Sequence, residues 1–327
     1  MRAPRIRVLS LGGTIASARR RAGGVLPSLD ADSLVRQAAP PSSWTVRTQA
    51  LRRVRSADVG PADLADIVRA VEAGLGEGDD GFVVTLGTDT LEEVAFALDL
   101  MLRQEAPVVV TGAMRDPTRP GADGPANLAA ALRVAATPAA RGLGTLVVMN
   151  DEVHAARFVR KAHTTRPDAF TSAPLGPLGW ISEGEVSIRL RPVGELPHLP
   201  SLPKSPPPRV AVVTAALFED GDDVRTLPER GYAALVVQAL GGGHVPSPMA
   251  DALGDVAARI PVVLSSRTGA GPVLTRTYGA PGAEIDLLRR GLIPARWLGA
   301  SKARILLLLL LAAGADLAAI RRTFASL

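Results

Sequence analysis

Residues 6–11, 82–85, 108–111 and 146–150 are short runs dominated by valine, leucine and isoleucine. Between them, residues 63–73, 90–102 and 125–135 carry the amphipathic or apolar pattern of helices. Apolar runs without alternation predict strands buried on both faces, hence a parallel sheet with helices on either side. In such a sheet a ligand sits at the carboxyl ends of the strands, so chemistry-bearing residues should follow the strands directly.

Residues 190–209 read LRPVGELPHLPSLPKSPPPR, and proline disfavours both helix and central strand. This segment predicts a linker. After it, strands are expected at 210–214, 234–238 and 261–265, with helices between them. The organisation is therefore α/β: a larger N-terminal domain with a mainly parallel sheet at 1–190, a linker at 191–208, and a smaller C-terminal α/β domain at 209–327. Residues 305–313 are continuously apolar, with leucine at every position from Leu306 to Leu311. That run is shorter than the roughly 20 residues a membrane span needs, and it predicts a buried helix.

Composition narrows the chemistry. The 327 residues include no cysteine, so disulfides, thiolate catalysis and zinc ribbons are excluded. His154, His163, His198 and His244 show no ligand spacing, and no metal or other cofactor is expected. The net charge is +5, but the arginines are scattered and aromatics make up only 3%, which argues against a nucleic-acid surface. No secretory or membrane-spanning segment is evident, so a cytoplasmic location is expected. Of 37 lysines and arginines only Lys161, Lys204 and Lys302 are lysine. A lysine kept in so arginine-rich a chain draws attention, because an amine can give up its proton and a guanidinium cannot.

Four motifs follow apolar runs. In VLSLGGTIAS, Gly12-Gly13 lets the chain turn sharply and approach a ligand, and Thr14 stands at the strand end. In GFVVTLGTDTLEE, Gly87 is followed by Thr88-Asp89-Thr90 at a helix start, where Asp89 or Thr90 suits an N-cap. Parallel neighbours would put Thr14 and Thr88 across one crevice. In TGAMRDPTRPGADGPANL, residues 123–127 resemble a helix start that lends backbone groups to a pocket. VRKAHTTRPDAF carries Lys161, whose amine could accept a hydroxyl proton when neutral, whereas Asp89 would favour its charged form.

Taken together, LGGTIAS, GTDT, GAMR…ADGPxNL, VVMND and the Lys161 segment resemble the bacterial-type L-asparaginase/glutaminase family, over nearly the whole chain and in family order. The resemblance implies a hydrolase that releases aspartate and ammonia from L-asparagine, with minor glutaminase activity. It implies Thr14 as nucleophile, with Thr88, Asp89 and Lys161 as a second hydroxyl–carboxylate–amine group. It implies substrate contacts from Gly13, Ser56, Asp58, Gly87, Thr88, Asp89 and Ala113, a lid after Thr14, and assembly as a homodimer or homotetramer.

The sequence departs from the family pattern at Leu11 and Leu86, where polar residues are usual, and at residues 22–25, where the lid tyrosine has no counterpart. His244 stands where some members carry an amide, and the segment RTGAGPVLTRTYG shows no clear equivalent of a neighbour-subunit acid. Three arginines and two glycines at 19–24 predict a lid that is costly to order, and hence weak substrate binding. A tRNA-dependent amidotransferase subunit usually has an extra N-terminal domain, and this chain starts at its first strand. A catalytically weakened amino-acid sensor is the remaining alternative.

Overall fold

The computed structural model describes residues 2–19, 25–27, 30–199 and 206–327. The chain divides into two compact units, Met1–Val193 and Gly194–Leu327.

The first unit runs β1 (Arg5–Gly12), β2 (Ser17–Arg19), β3 (Val25–Pro27), α1 (Ala31–Ala38), β4 (Thr45–Val54), α2 (Pro61–Gly76), β5 (Gly81–Thr85), α3 (Leu91–Met101), β6 (Val108–Thr111) and α4 (Gly124–Ala136). It continues through β7 (Thr145–Met149), β8 (Glu152–Ala155), β9 (Arg160–Lys161), β10 (Phe170–Thr171), β11 (Gly179–Ser182) and β12 (Glu185–Ile188). Among the described residues, eight strands form one sheet in the order β12-β11-β8-β7-β6-β5-β1-β4. The strands from β4 to β7 are mutually parallel, and β8, β11 and β12 extend the sheet antiparallel.

Every residue of β5, β6 and β7 is buried, which is why these strands read as unbroken apolar runs. α3 buries nine of its eleven residues, among them Phe96 and Leu98. Burying a side chain of that size contributes roughly 1.5–3 kcal/mol, so α3 is part of the core and not a surface helix. β4 (TVRTQALRRV) is mostly exposed. It lies at the sheet edge, and its arginines blunt that edge against pairing with another chain.

The second unit contains β13 (Val210–Thr214), α5 (Asp222–Arg225), β14 (Ala234–Ala239), α6 (Ser247–Ala257), β15 (Val262–Ser266), α7 (Glu284–Arg289), β16 (Ile293–Pro294), α8 (Ala300–Ala312) and α9 (Leu317–Ala325). Strands β13 to β16 form a parallel sheet in sequence order. The leucine run falls in α8, which buries Leu306, Leu307, Leu309 and Leu310. Among the described residues, no helix is long and apolar enough to cross a membrane.

A buried carboxylate holds this unit's loops. Glu284 is fully buried and accepts the N–H groups of Thr277 and Tyr278, both at 2.7 Å. His244 Nε2 lies 3.0 Å from its other oxygen, and the Tyr278 ring packs edge-on against the imidazole. Burial works to raise the Glu284 carboxyl. The hydrogen bonds from Tyr278, Thr277 and His244 outweigh it and hold the group below its ordinary value.

Glu284→Ala leaves two N–H groups without their acceptor, at about 1–3 kcal/mol each. Thermal unfolding at pH 7 should show a loss of roughly 2–5 kcal/mol. Because the folded value is depressed, this stability is present above the unfolded value of about 4.3 and is lost as pH falls through the folded one. The gap between parent and variant should therefore narrow towards pH 3. A gap below about 1 kcal/mol at pH 7, or one that stays constant into acid, would contradict this account.

Candidate active site

Because β4, β1, β5 and β6 are parallel, the loops that leave their carboxyl ends gather at one edge of the sheet. β1 ends in Gly12 and Gly13 follows it, with φ of 95° and 87°, a left-handed region that glycine enters without a steric penalty. Thr14 follows in a single 3-10 turn and is half-buried. A Cβ on Gly13 would lie 2.2 Å from Gly87 N, so the loops after β1 and β5 are in direct backbone contact. A Cβ on Gly87 would meet Ser56 Oγ at 2.8 Å, which adds the loop after β4. A Cβ on Gly112 would meet Leu86 O at 2.7 Å, which adds the loop after β6. Four chain segments thus converge, and the glycines are the points of closest approach.

Ser56 links two of these loops. Its Oγ accepts the Asp89 N–H at 3.2 Å, and its carbonyl accepts the Thr90 hydroxyl at 2.7 Å. Thr90 is the N-cap of α3, yet its hydroxyl serves this link and makes no capping bond.

Lys161 arrives on the ribbon of β9 and β10. Its backbone N–H donates to Glu92 Oε2 at 2.7 Å, which ties the ribbon to α3. The turn before it carries Arg157, 3.6 Å from the buried carboxylate of Asp99 on α3. On the far side of the ribbon, His154 Nδ1 lies 3.0 Å from Ser172 Oγ. So placed, Lys161 Nζ donates to Thr88 Oγ1 at 2.9 Å and to Asp89 Oδ1 at 3.1 Å. Thr88 is buried and the Lys161 side chain nearly so, whereas Asp89 is 71% exposed. Hydroxyl, amine and carboxylate form one connected group.

Thr14, Gly13, Gly87, Thr88, Asp89, Lys161, Ser56 and Ala113 all belong to this convergence. Asp58 is engaged otherwise: Arg55 grips its carboxylate with two bonds at 2.8 and 3.0 Å. The 3-10 turn at Ser56–Asp58 brings these residues, three positions apart, onto one side. Hydrogen bonding to Arg55 holds the Asp58 carboxyl below its ordinary value. Leu11 and Leu86 are both buried in the core. His244 has its imidazole committed to Glu284.

Sequence reasoning gave Asp123 and Asn127 no named role. The Asp123 carboxylate accepts the N–H groups of Met114 and Arg115, each at 2.9 Å. Asn127 Nδ2 donates to Gly112 O at 3.0 Å, and Asn127 Oδ1 accepts the Asn150 N–H at 3.0 Å. An aspartate and an asparagine one helical turn apart, straight after a glycine-rich loop, were the available signal. β2 and β3 pair antiparallel after Thr14. Residues 20–24, 28 and 29 of the expected lid lie outside the described residues. No group of three or more His, Asp or Glu among the described residues is placed to hold a metal.

The carboxyl edge of one parallel sheet thus carries the Thr14 hydroxyl and a second hydroxyl linked to a lysine, on two loops in direct backbone contact. Comparison with known proteins gives the family. A model of the N-terminal asparaginase domain matches residues 5–194, and one of the glutaminase/asparaginase C-terminal domain matches residues 209–324. The chain belongs to the asparaginase family.

A protein of Deinococcus radiodurans named a probable L-asparaginase is 38% identical, covering 98% of this chain and 97% of its own. A Haemophilus influenzae protein named a probable periplasmic L-asparaginase is 34% identical over 98% of this chain and 92% of its own. The crystal structure of a probable cytoplasmic L-asparaginase from Campylobacter jejuni superposes with a TM-score of 0.87 at 30% identity, covering 99% of this chain and all of that one.

Proposed function

We propose that this protein hydrolyses the side-chain amide of L-asparagine to aspartate and ammonia, with Thr14 as nucleophile and an aspartyl ester as intermediate. The observation that carries the reading is the contact from Lys161 to Thr88, beside the loop that bears Thr14. As an ammonium, Lys161 donates to Thr88 Oγ1. As a neutral amine, it accepts the Thr88 hydroxyl proton across the same 2.9 Å. Thr88 can then take the Thr14 proton while Thr14 Oγ1 attacks the amide carbon.

The tetrahedral oxyanion needs donors that are not already in use. Among the described residues, the N–H groups of Thr88 and Ala113, on two of the converging loops, have no protein acceptor. Collapse breaks the C–N bond, and the leaving nitrogen takes the proton from Lys161 through Thr88. Water then attacks the ester and releases aspartate. Asp89, exposed and paired with Lys161 through Oδ1, has its other oxygen for the substrate's ammonium, and Ser56 would hold the α-carboxylate. Asp58 would meet the ammonium only by sharing its charge with Arg55. Glutamine, longer by one methylene, would be turned over more slowly.

Purified protein should release ammonia and aspartate from asparagine, with weaker release from glutamine. Absence of both products would end this reading. Lys161→Arg keeps the charge but cannot accept a proton, so kcat should fall by about 10²-fold or more between pH 6 and 9. A variant within threefold of the parent would mean that Lys161 supplies charge alone. We also propose a cytoplasmic location, which the name of the Campylobacter jejuni relative supports and that of the Haemophilus influenzae relative does not; cell fractionation tests it. We likewise propose that it assembles as a homodimer or homotetramer, which sedimentation at micromolar concentration tests: a fully active monomer would refute it.

A further inference from the structure

The peptide between Gly112 and Ala113 is hydrogen-bonded through its oxygen only. Its carbonyl oxygen accepts Asn127 Nδ2 at 3.0 Å. Its N–H, on Ala113, has no acceptor among the described residues. The next two N–H groups, of Met114 and Arg115, both go to the Asp123 carboxylate. Of three successive donors, only Ala113 is left for a ligand. Asn127 is itself held on every side. Its Nδ2 also donates to Asp123 Oδ2 at 3.1 Å, its Oδ1 accepts the Asn150 N–H, and the residue is 2% exposed.

A peptide group is planar and trans, so its C=O and N–H point in opposite directions. A donor fixed on the oxygen therefore fixes the aim of the N–H on the other side. It also polarises the amide, which makes that N–H a stronger donor. We propose that Asn127 is a positioning residue for the hydrolysis. Through the Gly112 carbonyl it aims and polarises the Ala113 N–H at the oxyanion that forms in the transition state. The inference rests on the proposed amide hydrolysis and adds a residue that touches no substrate.

An interaction with an atom that becomes charged only in the transition state shows in kcat and leaves ground-state binding largely alone. Asn127→Ala should lower kcat on asparagine by about 10- to 100-fold, less than the 10²–10³ typical of deleting an oxyanion donor outright. KM for asparagine and Kd for the product aspartate should stay within about threefold. Asn127→Asp preserves the side-chain volume and the acceptor for Asn150 N–H but cannot, when ionised, donate to Gly112 O. It should show the same split between kcat and Kd.

Both variants are to be compared with the parent and with Thr14→Ala in one assay. A parent that releases no ammonia overturns the functional reading, and this inference with it. An active parent whose Asn127→Ala variant keeps kcat within threefold overturns the inference alone. So does loss of kcat and aspartate binding in proportion, or failure of both variants to fold, because Asn127 would then be a purely structural residue.

Discussion

Thr14→Ala should lower kcat on asparagine by roughly 10³-fold or more, with KM changed only a few-fold. The expectation follows from where the sequence puts the hydroxyl. β1 is buried along nearly its whole length, so its end is rigid, and the two left-handed glycines turn the chain at once into the 3-10 turn that starts with Thr14. The turn is clamped from both flanks: Gly13 lies against Leu86 and Gly87, and Ile15 packs on Gly124 next to Ala113. Among the described residues, the Thr14 hydroxyl makes no hydrogen bond, so no structural role competes with a chemical one.

On the proposed mechanism, removing the hydroxyl leaves the donors and the substrate contacts in place but forces water to attack directly, hence a large effect on kcat and a small one on binding. Thr14→Ser should retain more activity than Thr14→Ala because it keeps the nucleophile and loses only the methyl group that steadies its rotamer. Single-turnover release of ammonia measures both. Residual activity in Thr14→Ala above about one tenth of the parent would move the nucleophile elsewhere.

How much of this was legible depends on the physics of each element. β5, β6 and β7 could be read because burial on both faces demands unbroken apolar runs. Their bounds differ from the expected ones by no more than a residue. β4 could not be read: an exposed edge strand of arginines, threonines and a glutamine has no hydrophobic pattern to give it away. β8 to β12 were missed because they are two to four residues long, too short to show a hydrophobic period. The charged, glycine-rich stretch after Thr14 reads as unstructured. Its flanks nonetheless pair as β2 and β3, an antiparallel contact that short-range composition does not encode.

In the site, the residues that follow strands could be found because a parallel sheet places them. Thr14 and Thr88 needed only the two strand ends and the glycines beside them. The partner of Thr88 did not follow from local pattern: Lys161 lies 73 positions away and is delivered by a ribbon of two short strands. Its scarcity in an arginine-rich chain marked it, but scarcity carries no geometry. Asp58 shows the opposite limit. Motif alignment put it in the segment that would hold the substrate's α-carboxylate and α-amino group, and the arginine three residues earlier pairs with it in the structure. A neighbour at that spacing on one turn is a competitor that a motif reading passes over.

Gly13→Ala is the substitution that strikes fold and chemistry together. The added Cβ would stand 2.2 Å from Gly87 N and 2.6 Å from both Gly87 Cα and Leu86 C. All three are backbone atoms, so no side chain can rotate away, and the loops after β1 and β5 must part. The φ of 87° adds a left-handed penalty of roughly 1–2 kcal/mol for any residue with a Cβ. A total near 3 kcal/mol or more is expected, at the upper end for a single substitution.

The chemical loss should be larger still. Parting the loops moves Thr14 away from Thr88, and a displacement of about 1 Å in a catalytic group costs on the order of 10²-fold. Gly76→Ala is the internal control. Gly76 ends α2, has an ordinary φ, and has nothing within 4 Å of an added Cβ. There alanine should be neutral or stabilising, by up to about 1 kcal/mol. Thermal unfolding and kcat/KM on asparagine, measured for both variants, decide the matter. A Gly13→Ala protein with parental Tm and kcat/KM within threefold would show that the two loops are not in the close contact that Gly13 and Gly87 make.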